Sequence, residues 1–154
     1  MVYHAARVAM IKYILLFLLI NSGCSGVRAQ KTSKITRLEF NSGTRSFREQ
    51  IILTPDSIVV IKEDFRIDLK PQVKRKSMTS KDWQVLTSKV KDVELSAIEE
   101  LKSPSDKRTY DAAAHGSLII TTENKKSYTH GFDDEEPHVT LKPLMDEIAK
   151  FRKK

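Results

Sequence analysis

The sequence has little cysteine: Cys24 is the only one among its 154 residues. Because Cys24 lies in the N-terminal leader described below, the chain after it can form no internal disulfide. A chain of this length can bury a single core without such cross-links. The motifs of common enzymes are also missing: there is no Gly-x-Ser-x-Gly, His-Glu-x-x-His or Gly-x-x-x-x-Gly-Lys, and no cysteine pair. These absences make catalysis the less favoured class, and a binding or structural role is expected.

Acidic residues are absent from residues 1–29, whose only charged side chains are Arg7, Lys12 and Arg28. The eight residues 13–20 form an unbroken apolar run, and small or polar residues follow it. This order is typical of a secretory signal peptide. As a helix, the run reaches only about 12 Å, far short of the roughly 30 Å of a bilayer core. We therefore predict an exported protein, periplasmic or extracellular, and not a permanent membrane span.

Signal-peptide cleavage before Gln30 fits the small residues Val27 and Ala29 at the third and first positions before the cut. This interpretation divides the chain into a signal peptide (1–29), a flexible lead-in (30–34) and one domain (35–154). Translation starting at Met10 instead of Met1 would make the signal more compact, and both starts stay open.

A lipoprotein signal over residues 1–23 is the alternative, with Cys24 lipidated and the protein anchored to a membrane. Ser22 and Gly23 before Cys24 fit it, but Asn21 stands where an apolar residue is expected. The membrane would then be a partner only through the signal or the lipid on Cys24.

The net charge of +7, from 27 basic and 20 acidic residues, falls once the leader is removed. The leader holds three of the basic residues, so the chain from Gln30 on has 24 basic and 20 acidic residues, a net charge of +4. That value is mild for a domain of this size and argues against a nucleic-acid partner. An unknown protein or envelope component is the expected partner, and no cofactor is expected.

Alternating apolar and polar residues over 35–40, 47–53 and 65–70 predict half-buried strands, and the β-branched residues in 57–61 predict a more central one. Residues 41–45 and 54–57 have turn composition. Thr79 is the predicted cap of a helix, a second capping box is predicted at 96–99, and residues 117–132 read as a hairpin. Thr140 caps the predicted last helix. The chain is therefore predicted to be an α+β domain: an antiparallel sheet (a meander plus a C-terminal hairpin) with helices packed on one face.

Four stretches in this order, SMTSKDWQVL, VELSAIEEL, LIITTENKKSYT and LKPLMDEIAKF, resemble small exported bacterial proteins of unknown function. In those proteins strands precede a Ser/Thr-x-x-Asp-Trp helix, and a Pro-Leu-x-x-x-Ile helix closes the chain. The likeness covers about residues 77–152 and rests on core and cap positions. It implies the same arrangement of elements and export, and it carries no known active site.

Imidazoles and carboxylates are densest in residues 130–138, where a divalent metal could be held by His130, Asp133, Asp134 and His138. With His115, this acidic loop is the basis of the alternative hypothesis of a metal-binding protein or hydrolase. If Asn124 and Lys125 form a two-residue turn, Ile119 pairs with His130, and His115 is about 13 Å away along the same face, too far to share an ion. The favoured interpretation of 133–138 is a solvated loop.

Three small residues, 112–114, leave room for a ligand beside Tyr110, Asp111 and His115, which could bind it through hydrogen bonds. The alternative is that the alanines lie under a helix and that Asp111 caps a turn or pairs with Arg108.

Basic residues cluster over 70–76, where Lys74 and Arg75 could contact an acidic surface. An edge strand protected by lysines against aggregation explains the cluster equally well. Overall, the sequence predicts a non-catalytic binding or structural module of the cell envelope or periplasm. Inhibition of an envelope or host enzyme by a protruding hairpin is a further alternative.

Overall fold

The computed structural model describes residues 33–66, 70–109 and 113–153. The strands are β1 (Ile35–Gly43), β2 (Phe47–Leu53), β3 (Ser57–Asp64), β4 (Gln72–Ser77), β5 (His115–Thr122) and β6 (Ser127–Asp133). The α-helices are α1 (Ser80–Ser88) and α2 (Lys142–Lys153), and two 3₁₀ segments, Leu95–Glu100 and Lys107–Thr109, lie between α1 and β5.

One sheet contains all six strands, in the order β4-β3-β2-β1-β5-β6. Every neighbouring pair is antiparallel. The first four strands follow one another as a meander, and β5 pairs with β1 on the other side. The prediction of an α+β domain with an antiparallel sheet is therefore confirmed.

Alternation along the strands gives the sheet two different faces. On the face that we call the core face, the fully buried side chains include Leu38, Phe40, Ile51, Leu53, Leu118 and Ile120. The opposite face, which we call the outer face, carries Arg37, Glu39, Asn41, Arg48, Gln50, His115 and Ser117, with some aliphatic residues among them. The hydrophobic core also includes Leu86 from α1 and Leu144 and Ile148 from α2.

Helix α1 begins as the sequence predicts. The Asp82 backbone N–H donates to Thr79 Oγ1 at 3.0 Å, which satisfies one of the free donors of the first turn. The second predicted capping box, at 96–99, is wrong. The segment there is a 3₁₀ helix that begins at Leu95, and the cap position, Glu94, makes no side-chain capping bond.

Strand β1 is longer than predicted. Asn41, Ser42 and Gly43 are turn residue types, but all three pair with both β2 and β5. Pairing on two sides outweighs local preference, because a central strand satisfies its backbone groups in both directions.

The predicted strand over 65–70 is not formed at its start. Phe65 and Arg66 lie in a turn, and residues 67–69 fall outside the described residues. The fourth strand is β4, which comes after Pro71 and contains the basic cluster. The interpretation of that cluster as an edge strand is thus the one that the sheet order supports.

The turn of the β5–β6 hairpin, counted between Thr122 and Lys126, has three residues, 123–125, and not two. The Thr122 N–H donates to the Lys126 carbonyl at 3.0 Å, and Lys125 closes the turn with a φ of 62°. The pairing consequently moves by one residue, so that His130 lies opposite Leu118 and not opposite Ile119.

All described residues belong to one compact unit. Within these residues, neither helix is long and apolar enough to cross a membrane.

Candidate functional site

The outer face carries a shallow depression of about 540 Å³. It lies where β3, β2, β1 and β5 run side by side, and most of the residues that line it have side chains that can form hydrogen bonds. They include Glu39, Asn41, Arg48, Gln50, Glu63, His115 and Ser117. Groups that donate and groups that accept hydrogen bonds therefore converge on one concave surface.

Gly43 leaves a gap in the surface of the outer face at the depression. It lies between its cross-strand partners Arg48 on β2 and His115 on β5. Because Gly43 has no side chain, the row of side chains across the sheet is interrupted between these two residues. A Cβ atom at this position would lie 3.3 Å from the Phe47 carbonyl oxygen, which is a tight contact.

Glu39 organises the polar side chains of the depression. Its Oε1 accepts hydrogen bonds from Gln50 Nε2 at 2.7 Å and from Asn41 Nδ2 at 3.2 Å, and its Oε2 accepts one from Arg37 Nε at 3.0 Å. Asn41 Nδ2 also lies 3.4 Å from Ser117 Oγ. The NH₂ groups of the two amides are held at Glu39, and no hydrogen bond from another described residue occupies their carbonyl oxygens, which can therefore accept from a ligand.

The carboxyl of Glu39 stays ionised in this network. Burial alone would raise its pKa, but the hydrogen bonds from Arg37, Asn41 and Gln50 outweigh burial and hold the pKa below its ordinary 4.5. The amide orientations that depend on the carboxylate are thus maintained at neutral pH.

One member of the predicted ligand-binding trio reaches this depression. His115 is exposed and lines it. Tyr110 and Asp111 lie outside the described residues. Lys74 and Arg75 lie on β4 at the end of the sheet and do not line the depression.

His130 lies on the core face and is 2% exposed. Its Nε2 accepts the backbone N–H of His138 at 3.0 Å, and its ring stacks against Phe132 with centroids 5.5 Å apart. His115 belongs to the outer face, so the two histidines that the hypothesis of a metal-binding protein or hydrolase combines lie on opposite sides of the sheet.

Asp133 is bonded to the second 3₁₀ segment and to the residues just before it. It accepts hydrogen bonds from Ser105 Oγ at 2.6 Å and from Arg108 Nη1 at 3.0 Å. The bond from Ser105 lowers the pKa of Asp133 below its ordinary 3.8; burial opposes this shift and Arg108 adds to it. Arg108 therefore pairs with Asp133, and the predicted alternative partner Asp111 lies outside the described residues.

Asp134 and His138 also have protein partners. Asp134 pairs with Lys107 at 3.2 Å and accepts the Ala114 N–H at 3.2 Å. His138 Nδ1 lies 3.1 Å from Thr140 Oγ1. The four predicted metal ligands thus bind different protein groups. Over the described ranges, no three His, Cys, Asp or Glu side chains are placed to hold a metal ion.

We expect His130 to make stability depend on pH. Burial favours the neutral imidazole and lowers the pKa of His130 below its ordinary 6.5; the nearby His138 also lowers it. The unfolded chain therefore binds a proton that the folded chain does not. The contribution of the neutral His130 to the free energy of unfolding is fully present above about pH 6.5. Below that pH it decreases by up to about 1.4 kcal/mol per pH unit, until the pH reaches the pKa of His130 in the folded protein.

Urea unfolding at pH 7.5, 6.5 and 5.5 measures this dependence. In His130→Gln, whose side chain does not titrate, the decrease between pH 6.5 and 5.5 should be smaller than in the wild type. His115→Gln is the matched control, because it removes an exposed histidine and should keep the wild-type decrease. An unchanged decrease in His130→Gln would contradict the assignment.

Sequence reasoning missed Glu39, Asn41, Gln50 and Ser117 as a group. Alternation placed Glu39 and Gln50 opposite the core side chains of their strands, which was a usable signal. Their meeting with Ser117 depends on the pairing of β1 with β5, which joins segments more than 70 residues apart along the chain.

No protein-family model matches this chain, and no curated protein is similar enough to indicate a relative.

Proposed function

We propose that the protein is an exported, non-catalytic binding module of the cell envelope or periplasm. Its binding site is the outer-face depression, and its ligand is a polar envelope component that forms hydrogen bonds. The observation that carries this proposal is the convergence of Asn41, Gln50, His115 and Ser117 around Gly43. Two of these side chains, Asn41 and Gln50, are already oriented by Glu39, so they lose little conformational entropy when a ligand binds.

We further infer that the helices pack on the core face and leave the outer face free for this role. The Arg152 guanidinium of α2 lies 5.4 Å from the centre of the Phe40 ring, on the core face. Leu144 and Ile148 of α2 are fully buried. Outer-face residues such as Arg48 and His115 are exposed.

Catalysis has less support. The hypothesis of a metal-binding protein or hydrolase needs His115 and His130 in one site, and they lie on opposite faces. Inhibition of an enzyme by the β5–β6 hairpin stays a prediction.

Co-sedimentation with purified cell-wall sacculi, which contain both glycan and peptide, tests the proposal. We expect the wild-type domain to sediment with sacculi. Ser117→Arg and Gln50→Arg, which fill the depression, should reduce the sedimented fraction at least about fivefold. Thr129→Arg is the control, because Thr129 is an exposed outer-face residue that does not line the depression. Equal sedimentation of all variants, or no sedimentation of the wild type, would refute the binding of sacculi at the outer-face depression.

Export is tested by the intact mass of the protein recovered from its native cells. We expect a chain that begins at Gln30. A chain that begins at an acylated Cys24 would instead place the domain on a membrane surface, and an uncleaved chain would refute export by either signal.

A further inference from the structure

The two end strands of the sheet, β6 and β4, differ in which other segments pack against them. The segment 95–100 packs along β6, and Ser105 and Arg108 bind Asp133 at its end. In the described part of the chain, β4 pairs only with β3. All six residues of β4 are exposed. One edge of the sheet is therefore available for pairing, and it is the edge formed by β4.

Three consecutive cations, Lys74, Arg75 and Lys76, give this edge positive charge on both faces. Lys74 and Lys76 lie on the core-face side, opposite Val60 and Ile58, and Arg75 lies on the outer-face side, opposite Val59. No acidic residue occurs between residues 70 and 78. Neither Lys74 nor Arg75 forms an ion pair with another described residue.

The charge determines which strands can pair with this edge. A second copy of β4 would bring cations beside cations, and like charges on paired strands are destabilising. Basic edges protect proteins against self-association in this way. If the pairing strand carries carboxylates instead, its side chains attract the cations of β4. The same positive charge that disfavours a second copy therefore favours an acidic partner.

We propose that β4 is a docking edge for an extended, acidic segment of a partner protein, which adds to the sheet as a seventh strand. Six residues span about 20 Å, enough for a partner strand of five or six residues. Val73, which is 47% exposed and lies opposite Ile61, offers an apolar contact on the outer-face side. This docking edge is separate from the outer-face depression, so it does not depend on the proposed function.

The probe is a fluorescent eight-residue peptide of alternating glutamate and valine, and fluorescence anisotropy at low ionic strength measures its binding. Glutamates on one side of this peptide can lie beside Lys74, while valines on the other lie beside Val73. A peptide with lysine in place of glutamate should bind at least about tenfold more weakly. A peptide methylated on alternate backbone nitrogens keeps the charge but cannot pair as a strand, and it should lose at least about tenfold in affinity.

Lys74→Glu places a like charge beside the glutamates of the peptide, and Arg75→Glu lowers the positive charge of the same edge. The combined variant should weaken binding of the acidic peptide at least about tenfold. Lys81→Glu combined with Lys89→Glu makes the same charge change at exposed positions on and beside α1 and should change affinity by less than about threefold. Circular dichroism checks that both variants are folded. Equal binding of the methylated and unmethylated peptides would overturn the proposal. So would binding of the protein, through Lys74 and Arg75, to phosphatidylglycerol vesicles but not to the peptide.

Discussion

Gly116→Ala is expected to lower the free energy of unfolding by about 2–3 kcal/mol, because no space exists for one additional methyl group. A Cβ atom at Gly116 would lie 2.5 Å from Phe132 Cε2 and 2.7 Å from Cδ2. Carbon atoms in contact are ordinarily about 3.5–4.0 Å apart. The ring of Phe132 cannot move away easily, since it is 1% exposed and is stacked between Phe40 and His130.

Gly131→Ala is the matched control. Gly131 lies in β6, next to the strand of Gly116, and no atom lies within 4 Å of its Cβ position. Neither glycine has a positive φ, so the backbone accepts alanine equally well at both positions. Gly131→Ala should be neutral or stabilising by up to about 1 kcal/mol, because alanine loses less conformational freedom on folding.

Thermal unfolding measures the difference between the two variants, at roughly 4 °C per kcal/mol for a domain of this size. Phe132→Leu removes the ring that the new methyl group would meet, so the double variant Gly116→Ala/Phe132→Leu should lose less stability than the two single variants together. Equal melting temperatures for Gly116→Ala and Gly131→Ala would show that the ring adjusts without cost.

The faces of the sheet could be predicted because they follow from alternation within one segment. Leu38 and Phe40 are separated from Arg37 and Glu39 by the period of two alone, and the fold keeps this separation. The start of α1 is similarly local, since Thr79 and Asp82 lie within one turn.

Features that depend on distant pairing could not be predicted. Asn41 and Gly43 have turn composition, and they become strand residues only because β2 and β5 flank them. The position of His130 depends on whether the hairpin turn contains two or three residues, and a change of one residue in the turn changes every partner in the pair. The outer-face depression depends on the pairing of β1 with β2 and β5, so composition alone did not reveal it.

Glu49 combines one feature that local alternation predicts with another that depends on a distant residue. Alternation correctly placed it on the face of Ile51 and Leu53, where a carboxylate is unexpected, and Glu49 is indeed 3% exposed. The residue that makes this burial tolerable is Arg152, near the other end of the chain. Arg152 Nε lies 2.6 Å from Glu49 Oε2, and Lys62 Nζ lies 3.0 Å from Oε1.

Arg152→Met is therefore expected to lower the free energy of unfolding by about 2–3 kcal/mol. The substitution leaves the buried carboxylate of Glu49 with Lys62 alone, whose side chain is 40% exposed and holds its charge near solvent. Removing one partner of a buried ion pair costs about 3–5 kcal/mol when no other charge remains, and Lys62 reduces that loss. Urea unfolding at pH 7.5 measures the change.

The double variant Glu49→Met/Arg152→Met distinguishes the cost of an isolated charge from the value of the pair. Although Arg152 Nε lies within ion-pair distance of Glu49 Oε2, Arg152 Nε, Arg152 Nη2 and Glu49 Oε1 make no regular hydrogen bond with the described residues, so the pair is incompletely satisfied. Replacing both members with apolar side chains should restore stability to within about 1 kcal/mol of the wild type.

The single and double variants of Glu49 and Arg152 form a double-mutant cycle, and an exposed ion pair within α2 provides its control. Lys142 and Asp146 are 2.9 Å apart, but both side chains are more than half exposed. Solvent screens such a pair, so Lys142→Met and Asp146→Met should show a coupling of no more than about 0.5 kcal/mol. Coupling between Glu49 and Arg152 should exceed 2 kcal/mol. If both cycles gave similar values, the Glu49 carboxylate would be hydrated in solution, and Arg152 would act on the core only through its packing over the Phe40 ring.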